Sequence, residues 1–209
     1  MKVFLRYFFT VLGIAIAAIL FWASMLKLIH LGLMSNPPDG HFPTKIDLHY
    51  KNHILLAYLH IVPGMLFIVL GAHQLIPFFR NKNFPRHRLI GKLFLMVSTL
   101  IFFTAIVLGV FYPFGDWLES VVTVVFGVYL LFCTYKAYAT ARNQQFNAHR
   151  NWVTRVYFIA LAVSTIRGIM ALLLATNDTS MQSVFGISFL LAFVLHAFLV
   201  EVWIRYLAR

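Results

Sequence analysis

Apolar runs of about 20 residues alternate along the chain with short polar interruptions, and at ~1.5 Å of rise per residue each run can cross a bilayer as a helix. Six such runs stand near Val3–Leu26, Ile54–Ile76, Leu89–Phe111, Trp117–Ala139, Trp152–Ala175 and Val184–Tyr206. Pro37-Pro38, Pro77, Pro113 and Asn177-Asp178 punctuate the intervals, as turn-forming residues should. The pattern predicts an all-α integral membrane bundle of six transmembrane helices, one domain over residues 1–209 with an external loop at about 27–53. The first run follows Lys2 and Arg6, but it is too long for a signal-peptide core and lacks a small-residue cleavage site, so it reads as a retained helix. Inside the spans, Pro63-Gly64 is the one obvious candidate for a broken helix.

Composition agrees with the pattern. Of the 209 residues 61% are hydrophobic and 11% charged, and the mean hydropathy is +0.84, outside the range of soluble domains. The net charge of +11 does not mark a nucleic-acid binder, because the basic residues sit in short loops beside apolar spans, where they report topology. A lone Cys133 excludes an intramolecular disulfide and a cysteine-based metal site.

The charges are segregated. Lys2, Arg6, Arg80, Lys82, Arg86, Arg88, Lys92, Lys136, Arg142, Arg150, Arg155, Arg205 and Arg209 fall on one side of a six-span topology. The other side holds Lys27, Lys45 and Lys51 together with Asp39, Asp47, Asp116, Glu119 and Asp178. The positive side is expected to face the cytoplasm, which places both termini inside. A short repeat is visible as well: Arg86-His87-Arg88 opens the third span with Lys92 behind it, and His149-Arg150 opens the fifth with Arg155 behind it. Two helical hairpins, spans 2–3 and 4–5, would then form a pseudo-symmetric four-helix core flanked by spans 1 and 6.

Several polar residues lie where bilayer physics disfavours them. At about 100° per residue, His60, Gly64, Gly71 and Gln74 share one face of the second span. Glycines beside a histidine suit either close helix packing or a flat cofactor, and neutral imidazole is a common axial ligand of haem iron. If the same helix starts near Ile46, His49 and His53 extend the stripe as an i, i+4 pair able to hold a divalent metal, with Asp39, His41 and Asp47 nearby in sequence.

On the fifth span His149 and Arg167 are 18 residues apart, which in an unbroken helix puts them on one face near opposite ends. Arg167 would lie ~12 Å and His60 ~9 Å below the outer edge, so they could share a pocket, or Arg167 could snorkel to the outer surface. His87 and His149, each followed by arginine, start helices that run the same way and could converge on one anionic ligand: a phosphate, a haem propionate or a quinone carbonyl. His73 and His196 read as structural, and Glu201 as a neutraliser of one boundary arginine.

At these residues the chain resembles the domain of unknown function 2306 family of bacterial membrane proteins. The likeness runs through Leu59-His60-Ile61-Val62-Pro63, Leu70-Gly71-Ala72-His73-Gln74, His87-Arg88-Leu89-Ile90-Gly91-Lys92, Ala148-His149-Arg150-Asn151-Trp152-Val153-Thr154-Arg155 and Thr165-Ile166-Arg167, over about positions 55–170. The family pattern has an arginine where this chain has Lys92 and more typically a methionine where it has Val153. The resemblance implies a multi-pass protein of the bacterial cytoplasmic membrane, with His60, Gln74, His87, His149, Arg155 and Arg167 as the residues of interest, and no settled activity.

Three functional expectations follow. The leading one is a small membrane redox or cofactor-binding protein, with haem b as the cofactor and His60 as a ligand. The second is a carrier or sensor of a small anionic or lipidic molecule. The third is an assembly factor for other membrane proteins. The lipid bilayer is the expected partner throughout, with a second copy or another membrane protein as a further one, and no nucleic acid.

Overall fold

The computed structural model describes residues 2–33, 45–76, 78, 83–176 and 178–207, and among these there is no strand. The helices are α1 (Lys2–Leu33), α2 (Lys45–Lys51), α3 (Ile54–Leu75), α4 (Phe84–Phe111), α5 (Trp117–Arg142), α6 (Phe146–Ala160), α7 (Ala162–Thr176) and α8 (Met181–Val202), the last running into a π-helical turn at Trp203–Leu207. Six described stretches are long and apolar enough to span a membrane: Tyr7–Gly32, Ile54–Leu75, Phe84–Phe111, Trp117–Arg142, Phe146–Thr176 and Met181–Tyr206. The six-span, all-α expectation holds. The first span lies several residues further along than its hydropathy suggested.

Helix starts are written locally. Asn83 caps α4 by accepting from Arg86 N at 3.1 Å, with Pro85 in the first turn, where its missing N–H costs nothing. Asp116 caps α5 by accepting from Glu119 N, and Glu119 reaches back to accept from Gly115 N at 2.6 Å, a reciprocal arrangement that satisfies two helix-end donors. Hydroxyls buried inside the spans bond to the preceding turn of their own helix, as Ser98 does to Phe94 O and Ser188 to Val184 O. Such bonds keep polar atoms satisfied where no water is at hand.

Neighbours in sequence pack as neighbours in space: α3 on α4, α4 on α5, α5 on α6 and α7 on α8. The expected flanking of the core by spans 1 and 6 holds on one side only. Within their most apolar windows span 1 is 6% buried, but span 6 reaches 39%, equal to span 3. The reason is a stripe of small and slim residues at four-residue spacing on α8, Ser188, Ala192, His196 and Val200, all buried, which lets α8 settle against α5 and α6. Span 6 thus belongs to the core, and α1 leans on α3 and α7 from outside.

The broken helix is not where the proline predicted it. α3 runs without interruption through Pro63, whereas the fifth span breaks at Leu161 into α6 and α7. His196 of α8 braces the break. Its Nδ1–H donates to the Phe158 carbonyl at 2.7 Å on one side, and its Nε2 accepts from the Thr165 hydroxyl at 2.8 Å on the other. A carbonyl can only accept, so the ring is the Nδ1–H tautomer and both nitrogens are satisfied. The five-turn register joining His149 to Arg167 does not survive, because the two residues stand on separate helices.

Candidate functional site

The basic end of the bundle collects the sharpest constellation. α3 delivers Gln74 in its last turn, α4 delivers His87 in its first turn, and α6 delivers His149 and Arg150 in its first turn. These four side chains line one cavity of about 540 Å³, with Phe84, Phe146 and Val153 forming apolar wall. Of the residues singled out in the sequence, Gln74, His87 and His149 are therefore brought together.

Hydrogen bonds fix the orientation of the set. Gln74 is 5% exposed and donates from Nε2 to the His87 carbonyl at 3.3 Å. Its oxygen lies over Gly91, whose missing side chain leaves the space: a Cβ there would stand 3.2 Å from Gln74 Oε1. His149 donates Nδ1–H to the Ala137 carbonyl at 2.8 Å, so in its neutral form Nε2 is the acceptor edge of the ring. The His87 ring stacks with Phe84 at 6.3 Å between centroids, and the Arg88 guanidinium lies 4.6 Å over the same phenyl. Both α4 and α6 present their N-termini here, the positive ends of their dipoles, and Gln145 provides no side-chain cap to α6.

Phe84, Phe146 and Arg150 escaped the sequence reading as site residues. The signal was present in a longer form of the repeat: Phe84-Pro85-Arg86-His87-Arg88 and Phe146-Asn147-Ala148-His149-Arg150 share the spacing Phe-x-x-His-Arg. In each copy the phenyl and the imidazole sit one helical turn apart and line the same cavity.

The remaining residues of interest lie elsewhere. Arg155 forms a two-pronged pair with Glu201, Nε to Oε1 at 2.6 Å and Nη2 to Oε2 at 3.0 Å, and its guanidinium lies 4.5 Å over Trp152. Glu201 is the neutraliser its position suggested, and Arg205 stands 3.6 Å from the same carboxylate. His60 bonds through Nδ1 to Thr104 Oγ1 at 3.0 Å. That hydroxyl already donates to the Leu100 and Ile101 carbonyls, so it accepts from His60 and leaves Nε2 with its lone pair. The space beside Gly71 is filled by the Tyr157 and Phe94 rings, while Gly64 faces open space.

Arg167 is exposed on α7, and the hydrogen bond of His60 goes to Thr104 instead. It is close to Tyr50 of α2: burial pushes the Tyr50 phenol up to about 12, the Glu119 carboxylate adding to the rise and the Arg167 guanidinium opposing it. Lys27 lies 5.0 Å over the Tyr50 ring. His49 and His53 do not continue the His60 stripe, because the chain turns at Asn52 and His53 between α2 and α3. Their rings are 6.4 Å apart, His49 Nε2 is 2.8 Å from the Tyr112 carbonyl and His53 stacks on Tyr112 at 3.7 Å. Asp39 and His41 lie outside the described residues, as does the side chain of Asp47, and among the described residues no group of three or more metal-binding side chains is found.

A family profile described as a predicted membrane protein of domain of unknown function 2306 matches residues 57–204, which takes in the whole cavity and extends through the sixth span. No curated protein and no solved structure matches the chain.

Proposed function

The chain belongs to the domain of unknown function 2306 family of predicted membrane proteins, and from that premise we propose that it binds a small anionic or anionic-headed lipidic molecule at its basic end, as a carrier or sensor. One observation carries this reading: Gln74, His87, His149 and Arg150, drawn from three separate spans, meet in a single cavity at the N-termini of α4 and α6. Helix N-termini and a guanidinium favour negative charge, and His149, with Nδ1–H tied to Ala137, turns its Nε2 edge to the polar part of a headgroup. The apolar wall of Phe84, Phe146 and Val153 suits the body of an amphiphile. The break at Leu161 adds support, since discontinuous spans accompany binding sites in membrane carriers.

The test is ligand-dependent stability. In neutral detergent, dodecyl phosphate should raise the unfolding temperature of the pure protein, and Arg150→Gln combined with His149→Gln should remove most of that rise. An equal rise in the double variant would sink the proposal. The excess of basic residues at this end supports a cytoplasmic orientation for the cavity. A reporter fused after Arg142 should read cytoplasmic and one at Asp39 external, and the reverse result would place the cavity outside.

The redox reading retains one specific observation, the lone pair on His60 Nε2 held in place by Thr104. Against it, the room beside Gly71 on the same helix face is taken by aromatic side chains, and among the described residues no second histidine ring contacts His60. Haem-supplemented, purified protein without a Soret band would remove this reading.

A further inference from the structure

The cavity is graded in burial. Gln74 is buried, His149 is half-buried and Arg150 is exposed. The chemistry changes along the same direction. Gln74 cannot turn its amide round, because only nitrogen can donate to the His87 carbonyl, so Oε1 is fixed as the atom over Gly91. Among the described residues no donor reaches that oxygen. His149 repeats the situation: Nδ1–H is committed to Ala137, and Nε2 has no hydrogen-bond partner among the described residues. Neither atom is sealed from the cavity, so a ligand that displaces water from these two acceptors loses affinity unless it brings donors of its own.

The deep part of the cavity thus offers acceptors, and the outer part offers positive charge. A bare anion fits the outer part but sets its oxygens against Gln74 Oε1. A neutral alcohol fits the deep part and ignores Arg150. A molecule that joins a phosphate to free hydroxyl groups satisfies both. Resting on the reading of the cavity as an anion site, we propose that its ligand is a polyol phosphate ester of the glycerol-headgroup type. Its hydroxyls donate to Gln74 Oε1 and His149 Nε2, and its phosphate faces Arg150 and the N-terminus of α6. The same chemistry is offered by a membrane lipid and by a soluble sugar-alcohol phosphate.

A headgroup series on the full chain in neutral detergent tests this, with binding read from thermal unfolding and phosphatidylcholine as blank. Phosphatidylglycerol and phosphatidylpropanol carry the same charge and differ in hydroxyls. The expected result is about tenfold tighter binding of phosphatidylglycerol, the worth of roughly one well-made hydrogen bond. Soluble glycerol phosphate added as competitor separates the sources: displacement of the lipid points to the soluble ester, and no displacement points to the lipid. Gln74→Met should close part of the gap between phosphatidylglycerol and phosphatidylpropanol, the His149 Nε2 acceptor keeping the rest; should that variant fail to fold, the comparison on the parent chain decides alone. Equal binding of the two lipids overturns the polyol proposal and leaves the anion site standing. Absence of stabilisation by every anion in the series overturns both.

Discussion

His149 and His196 are two histidines of one bundle with opposite surroundings. His196 has both nitrogens engaged, one on each side of the break between α6 and α7, and it is 7% exposed. His149 has one nitrogen engaged with its own hairpin partner α5 and the other edge left over, at the wall of a cavity. In a bilayer a polar side chain must be satisfied from within the protein or by something that comes to it. The first histidine is a structural brace, and the second is available for recognition. The inventory of hydrogen bonds separates them where residue type and depth do not.

The difference is broken open by substituting each residue in turn. His196→Leu orphans the Phe158 carbonyl next to the break in the fifth span, a loss of about 1–3 kcal/mol for that group with a further contribution from Thr165. His149→Leu should cost less stability, about 1 kcal/mol, because it releases one partner, the Ala137 carbonyl, where His196→Leu releases two. Ligand response should run the other way, abolished at His149 and retained at His196. Denaturant titration of both variants, with and without anionic amphiphile, reads the two effects separately; equal ligand loss in both would erase the distinction.

A smaller effect is expected at the neighbouring ion pair. Glu201→Gln leaves the Arg155 guanidinium, whose side chain is 15% exposed, without its carboxylate, and a loss of about 1–2 kcal/mol is reasonable for a pair this partly solvated. A double-mutant cycle with Arg155→Gln isolates the coupling. Ligand binding should be unchanged, since the pair lies away from the cavity wall; a Glu201→Gln protein that lost anion response would tie the pair to the site.

Smallest are the glycines. Gly91→Ala pushes a methyl against Gln74 Oε1 and should cost about 1 kcal/mol along with some ligand affinity. Gly64→Ala meets nothing within 4 Å and should gain up to about 0.5–1 kcal/mol from helix propensity. Thermal unfolding of the pair reports the sign at each position, and a stabilised Gly91→Ala would contradict the placement of the Gln74 amide.

Much of the fold was legible because bilayer thickness sets span length and basic loops mark one side. Ile54, Trp117 and Phe111 bound the described spans at the residues hydropathy indicated. Two features were not legible. The helix break fell at Leu161, an apolar residue with no signal of its own, because the partner that compensates it, His196, lies on another span. Pro63, the visible signal, lies inside α3, which runs through it without a break. At the site, His87 and His149 were accessible through the repeat and Gln74 through the face it shares with His60, but their convergence depended on the packing of α3, α4 and α6. The sequence singled out Arg155 and passed over Arg150, and only the position of Glu201 shows that the Arg155 charge is already matched.

The most direct test of the account is side-chain nitrogen NMR of the protein labelled with ¹⁵N-histidine, recorded with and without phosphatidylglycerol. The His149 Nε2 signal should move on lipid addition while both His196 nitrogens stay fixed. A shift at His196 with His149 unmoved would contradict the claim that the basic-end cavity is the place where a ligand meets this protein.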